Sequence, residues 1–94
     1  MDGVAIASLE PGTTVVVNTW NSRYRLLVLC DPCIVVVKGG KIFTNASVAR
    51  FAGATAGGSV LKVGWVLVGF EMEIWQGLIR IRSSPVRSIS IEAF

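Results

Sequence analysis

WVLVGFEMEIWQGLIRIRS, residues 65–83, is the stretch that decides the fold class. In residues 65–75, Val66, Val68, Phe70, Met72 and Ile74 alternate with Leu67, Gly69, Glu71 and Glu73. A period of two places the first set on one face of a strand, the core face. Gln76-Gly77 supplies a turn, and residues 78–83 alternate again, Ile79 and Ile81 on the core face with Arg80 and Arg82 opposite. Folding the hairpin about Gln76-Gly77 sets Glu73 opposite Arg80, Glu71 opposite Arg82 and Met72 opposite Ile81. Hydrophobic pattern and charge pairing then agree on one register, and the four charged residues read as structural ion pairs. Exposed pairs of this kind contribute ~0–1 kcal/mol each, so they specify register more than they stabilise.

Outward from this hairpin the same signals recur. Val, Ile, Thr and aromatic residues fall in short runs separated by Gly, Asn, Asp and Pro. Residues 4–9 form a first run, ended by Pro11-Gly12; residues 13–20 (TTVVVNTW) and 23–30 (RYRLLVLC) follow. Asn21-Ser22 between the last two reads as a tight turn that pairs Thr19 with Tyr24 and Val17 with Leu26. Asp31-Pro32 turns the chain into residues 33–38 (CIVVVK), and Gly39-Gly40 returns it through residues 41–44. Residues 45–58 (NASVARFAGATAGG) break the pattern. They read either as a short helix, with Asn45 as N-cap, or as a long small-residue loop. Residues 86–91 (VRSISI) make a final strand after Pro85. About six to seven short strands joined by hairpins predict an all-β fold, a small closed or partly open antiparallel barrel, as one domain over residues 1–94.

Composition points to a partner. Hydrophobic residues make up 52% of the 94, charged residues only 16%, and the mean hydropathy is +0.63. A domain of this size has much surface and few charges to cover it. Residues 15–17, 26–29 and 34–37 are apolar on both faces, whereas a strand of a small monomeric barrel keeps one wet face. The surplus predicts a covering partner: a second copy first, another protein second. Trp65, Leu67 and Trp75 lie opposite the core face of their stretch and form the candidate interface. No membrane partner is expected, because the apolar runs fall well short of the ~20 residues of a spanning helix. MDGVAIASLEPG has neither the basic nor the long apolar region of a signal peptide, which makes the cytoplasm the expected location.

The sequence contains no histidine. That excludes a Ser-His-Asp triad, a Cys-His pair and histidine-liganded zinc within one chain. Cys30-x-x-Cys33 brackets Asp-Pro between two β runs. No helix N-terminus is there to stabilise a thiolate, and the adjacent Asp31 opposes one. Cys30 and Cys33 read first as plain thiols; the alternatives are a disulfide, half a metal site completed by a second chain, or a redox pair. Residues 53–59 (GATAGGS) lack the lysine of a phosphate loop. With no convincing catalytic set, the chain is expected to be no enzyme and to need no cofactor.

The net charge of +3 is mild. Arg23, Arg25, Arg87, Lys38 and Lys41 nonetheless suggest an alternative, a small barrel that holds single-stranded nucleic acid by charge and stacking. Tyr24 alternates with Arg23 and Arg25 and so faces inward, which does not favour that alternative. A weaker one is ligand binding or catalysis in a pocket between subunits near residues 45–59, where Asp31, Cys30, Cys33 or a glutamate would act.

The blocks GTTVVVNTWNSRYRL, VKGGKIF, GGSVLKVGWVLVGFEMEI and SSPVRSISIEAF resemble those of a small uncharacterised bacterial all-β protein family. The resemblance spans most of the chain and implies the fold class, but no activity, ligand or site residue. A looser pattern, T/S-S-P-V-x-S-I followed by V-x-T-x-N-S-x-Y-x-L, is similar to a hairpin of other small β modules. Its halves lie here at 83–91 and 15–26, with Ser83 at the first position. Their pairing would lay the final strand beside residues 13–20 and close the barrel through its ends.

Overall fold

Val15 and Val17, then Tyr24, Leu26 and Val28, then Val35 and Val37 alternate along three successive strands, and all are buried. This inward set organises a computed structural model that describes residues 1–29 and 33–92. The described residues form ten strands: β1 (Gly3–Ala5), β2 (Thr14–Thr19), β3 (Arg23–Val28), β4 (Ile34–Gly39), β5 (Phe43–Thr55), β6 (Leu61–Val63), β7 (Trp65–Leu67), β8 (Glu71–Gln76), β9 (Ile79–Arg82) and β10 (Val86–Glu92). A single 3-10 turn, Ile6–Ser8, follows β1. The main sheet runs β10-β2-β3-β4-β5-β8-β9, with β6 branching from β5, and every ladder in it is antiparallel.

β1 and β7 form a separate two-stranded ribbon. Val4, Ile6 and Val66 carry it into the same core as Phe43, Phe51, Met72 and Ile74 of the main sheet. Full burial of one such side chain stabilises by roughly 1.5–3 kcal/mol, so the ribbon is held by packing rather than by its short ladder.

The closed or partly open barrel expected from the sequence is overturned: the sheet is open. The final strand does lie beside β2, from Val86 opposite Thr19 to Ile91 opposite Val15. Closure would require β9 and β10 to pair, and they share no ladder. Instead the connection after β9 is engaged elsewhere. Ser83 hydrogen-bonds Met72 of β8, and Ser84 bonds the β2–β3 turn. The start of β10 meets the β7–β8 link through an isolated Val68–Val86 bridge, with Gly69 N–H to Val86 O at 2.8 Å.

Residues 45–58, read as helix or loop, are mostly strand. β5 extends through Thr55 and is the longest in the fold. Alanine and glycine have weak strand preference, yet here β5 has neighbours on both edges: β4 and then β6 on one side, β8 on the other. The small residues fit because the backbones come close. A bulge shifts the register between Phe51 and Gly53, Gly53 has φ +149°, and a Cβ there would lie 2.2 Å from the Lys62 carbonyl oxygen. Tertiary pairing therefore overrides local propensity.

The decisive stretch also differs in two respects. Residues 65–75 are two strands, not one, because the chain breaks at Gly69, whose φ is +92°. Val66, Met72 and Ile74 are buried as expected and Val68 packs against the core, but Phe70 is exposed. The hairpin register is two residues away from the expected one: Glu73 opposes Arg82, Ile74 opposes Ile81 and Trp75 opposes Arg80. The loop is Gly77-Leu78, with Gly77 at φ +59° in the first loop position, where a tight hairpin turn favours glycine. A two-residue slip preserves faces and turns direct partners into diagonal ones. The expected charge pairs therefore survive, Arg80–Glu73 at 3.8 Å and Arg82–Glu71 at 3.6 Å. Ile79, placed on the core face by its periodicity, is exposed because β9 lies at the rim of the sheet.

Candidate functional site

The β2–β3 turn brings distant parts of the chain together. Its expected two-residue form is replaced by a wider loop in which Asn18 pairs with Arg23 and Val17 with Tyr24. Thr19 causes the difference. Its hydroxyl donates to the Ser22 carbonyl and accepts the Ser22 N–H, both at 3.1 Å, closing the turn with a side chain. Ser84 Oγ then donates to Thr19 Oγ1 at 2.8 Å and accepts the Asn21 N–H at 3.0 Å. Ser83 Oγ continues the chain, donating to the Ser84 carbonyl at 2.7 Å and accepting the Met72 N–H at 2.9 Å. Each hydroxyl is tied into backbone or into its neighbour, so the relay fastens the β2–β3 turn to the segment after β9.

A cleft of about 660 Å³ opens against this fastener. One wall is Asn21 and Ser22; the other holds Lys41 and Ile42 from the β4–β5 turn; Ile81 and Arg82 come from β9. Buried Tyr24 lines it as well. None of the described residues that line it carries a carboxylate.

Among the described residues, three strands of the main sheet pair on one side only: β10 with β2, β6 with β5 and β9 with β8. β9 and β6 are flanked by large apolar side chains in solvent: Leu78 is 96% exposed and Ile79 64%, while Val63 is 70% exposed and Val60 is also exposed. Sequence reading missed these residues. Leu78 carried a signal, since a large apolar residue directly after a turn glycine has no core to face.

The interface candidates Trp65, Leu67 and Trp75 are all half-buried, and the first two sit on the ribbon while Trp75 sits on the main sheet. Each tryptophan ring carries a cation: Lys62 over Trp65 at 4.3 Å, Arg50 over Trp75 at 5.9 Å and Arg87 over Trp20 at 4.4 Å. Trp75 Nε1 also donates to Glu73 Oε2 at 3.1 Å.

Arg23, Arg25 and Lys38 line the outer face, with Arg25 opposite Lys38 in the β3–β4 ladder. Arg25 forms an ion pair with Glu92. Lys41 lies apart from them in the cleft, and Arg87 lies on Trp20. Tyr24 faces inward, as its alternation with the arginines implies.

Cys33 is exposed just before β4, and its carbonyl accepts the Phe51 N–H at 2.7 Å. Cys30 and Asp31 fall outside the described residues. Among the described residues no group of three or more His, Cys, Asp or Glu is placed to hold a metal ion. The glycine-rich stretch 53–59 ends β5 and turns directly into β6, with Ser59 Oγ bonded to the Ala56 carbonyl. A strand follows it, not the helix a phosphate loop requires. Among the described residues no helix is long and apolar enough to cross a membrane. No protein-family model, curated protein or solved structure matches the chain.

Proposed function

We propose that this small all-β domain is a non-catalytic interaction module that self-associates through the open edge of β9. The observation that carries the reading is the unprotected state of that edge. Edge strands of natural proteins are normally blunted by charge, proline or cover, since a bare edge templates pairing with another chain. The turn and β9 offer Leu78 and Ile79 to solvent, and the two charges of β9 are drawn towards the neighbouring strand by Glu73 and Glu71. In a two-residue hairpin the closing pair exchanges both backbone bonds. Gln76 and Ile79 close this one, so Arg80 and Arg82 turn their N–H and C=O groups to the open side. A second β9 running antiparallel about a two-fold axis would satisfy them and cover the apolar pair. The surplus of apolar composition supports the same reading.

Nucleic acid is the weaker alternative, because the exposed Trp20 ring already carries Arg87 and Tyr24 is buried.

Sedimentation velocity across a concentration series tests the proposal. A dimer or larger assembly is expected, and Ile79→Lys is expected to dissociate it while leaving the melting temperature of the domain nearly unchanged. A native chain that stays monomeric at high micromolar concentration would overturn the reading.

A further inference from the structure

We infer that the cleft between the β2–β3 turn and the start of β5 binds a small organic oxyanion, a carboxylate or phosphate monoester bearing a short apolar group. Its volume, about 660 Å³, lies within the range of small-molecule sites. The described lining has one sign of charge: Lys41 and Arg82, with no acidic side chain among them. Arg82 reaches Glu71 only at 3.6 Å through one nitrogen, and a guanidinium has five N–H donors, so some remain for a ligand.

The second observation is Tyr24. It is 8% exposed and lines the cleft, and its hydroxyl makes no hydrogen bond to any described residue. That hydroxyl lies directly under Gly40, where a Cβ would come within 2.6 Å of Oη, and Gly40 precedes Lys41. The hydroxyl is reached by solvent through the cleft, so it is able to donate to a ligand there. Lys41 lines the same cleft and is exposed. A phenol, a lysine and a guanidinium on one cleft favour an acceptor with negative charge. Ile42 and Ile81 flank the same space and would receive an apolar substituent.

The geometry also explains why three separated stretches meet here. Asn21, Ser22 and Tyr24 come from the β2–β3 hairpin, Lys41 and Ile42 from the β4–β5 turn, and Arg82 from β9. The serine fastener holds the first and third together. The inference uses cleft side chains, whereas self-association uses the backbone edge of β9 with Leu78 and Ile79; Arg82 belongs to both.

The test is an NMR titration of the isotopically labelled full chain with phenyl phosphate, benzoate and inorganic phosphate. Saturable shifts are expected at Asn21, Tyr24, Lys41 and Ser84 with phenyl phosphate or benzoate, and the tighter of the two names the head group. Inorganic phosphate, lacking the apolar group, is expected to bind more weakly. Lys41→Met should weaken binding about tenfold, the size of a lost charge-assisted hydrogen bond. Tyr24→Phe should weaken binding severalfold yet leave the melting temperature of the free protein unchanged or higher. A purely structural tyrosine would lose stability instead. The inference is overturned by absence of saturation at millimolar concentration, by shifts centred elsewhere, by equal binding of inorganic phosphate, or by native affinity in both variants.

Discussion

The β2–β3 and β8–β9 hairpins look alike in sequence and are built differently. Both join alternating strands through short turns, and both lie two residues from the register that their simplest turns predict. The β2–β3 turn is bolted to the far end of the chain by Thr19 and Ser84. The β8–β9 turn is held by a glycine of positive φ and two ion pairs, and its Leu78 stands in solvent. One hairpin is part of the interior; the other is a rim. Periodicity assigns faces in both, but turn chemistry sets the register, and only long-range contacts decide which hairpin stabilises the fold.

The largest test of this contrast deletes equal side chains from the two hairpins. Leu26→Ala in β3 should destabilise by about 2–5 kcal/mol, the cost of a cavity in a closed core. Leu78→Ala should stay within ~0.5 kcal/mol, as for an unconstrained surface site. Equal shifts of the urea midpoint would break the contrast. The fastener comes next. Ser84→Ala removes the bonds to the Asn21 N–H and the Thr19 hydroxyl and should cost about 0.5–1.5 kcal/mol. A double-mutant cycle with Thr19→Val should show coupling of about 0.5–3 kcal/mol, as for residues in one network. Additive losses would mean that the two hydroxyls act separately. The smallest effect is expected at the rim. Glu73→Gln keeps an acceptor for Trp75 Nε1 and loses only a long pair to a half-exposed arginine, so at most ~1 kcal/mol should disappear, and less at high salt. A loss exceeding that of Ser84→Ala would reverse the ranking of the two hairpins.

Face assignment was legible because alternation is a one-strand property. Tyr24, Met72 and Ile74 could be placed inside without knowing their neighbours, whereas residues 15–17, 26–29 and 34–37 are apolar on both faces and left the inward set open. Register was less legible, since a two-residue slip leaves the hydrophobic pattern intact and even spares the ion pairs as diagonals. β5 was illegible for another reason. NASVARFAGATAGG breaks the strand pattern with its small residues, and only close neighbours such as β6 give those residues a purpose. Of the cleft, Tyr24 was read as inward-facing, and Arg23, Arg25 and Lys41 were grouped by charge alone. The structure separates Lys41 from the two arginines and joins it to Arg82 and the serines. Such meetings depend on loops crossing in space, which spacing along a chain does not encode.

The pairing of β10 with β2 has a consequence for how the domain comes into being. Val15 waits for Ile91, so one of the main ladders is also among the most non-local in the fold. Topologies dominated by such contacts fold slowly, because the entropy of a large loop is lost before the contact rewards it. During synthesis the meander from β2 to β5 emerges first, with the run Val15-Val16-Val17 presented on a bare edge until β10 arrives. In that interval another nascent chain can take the place reserved for residues 86–92, which makes the order of emergence from the ribosome a hazard that the finished structure conceals.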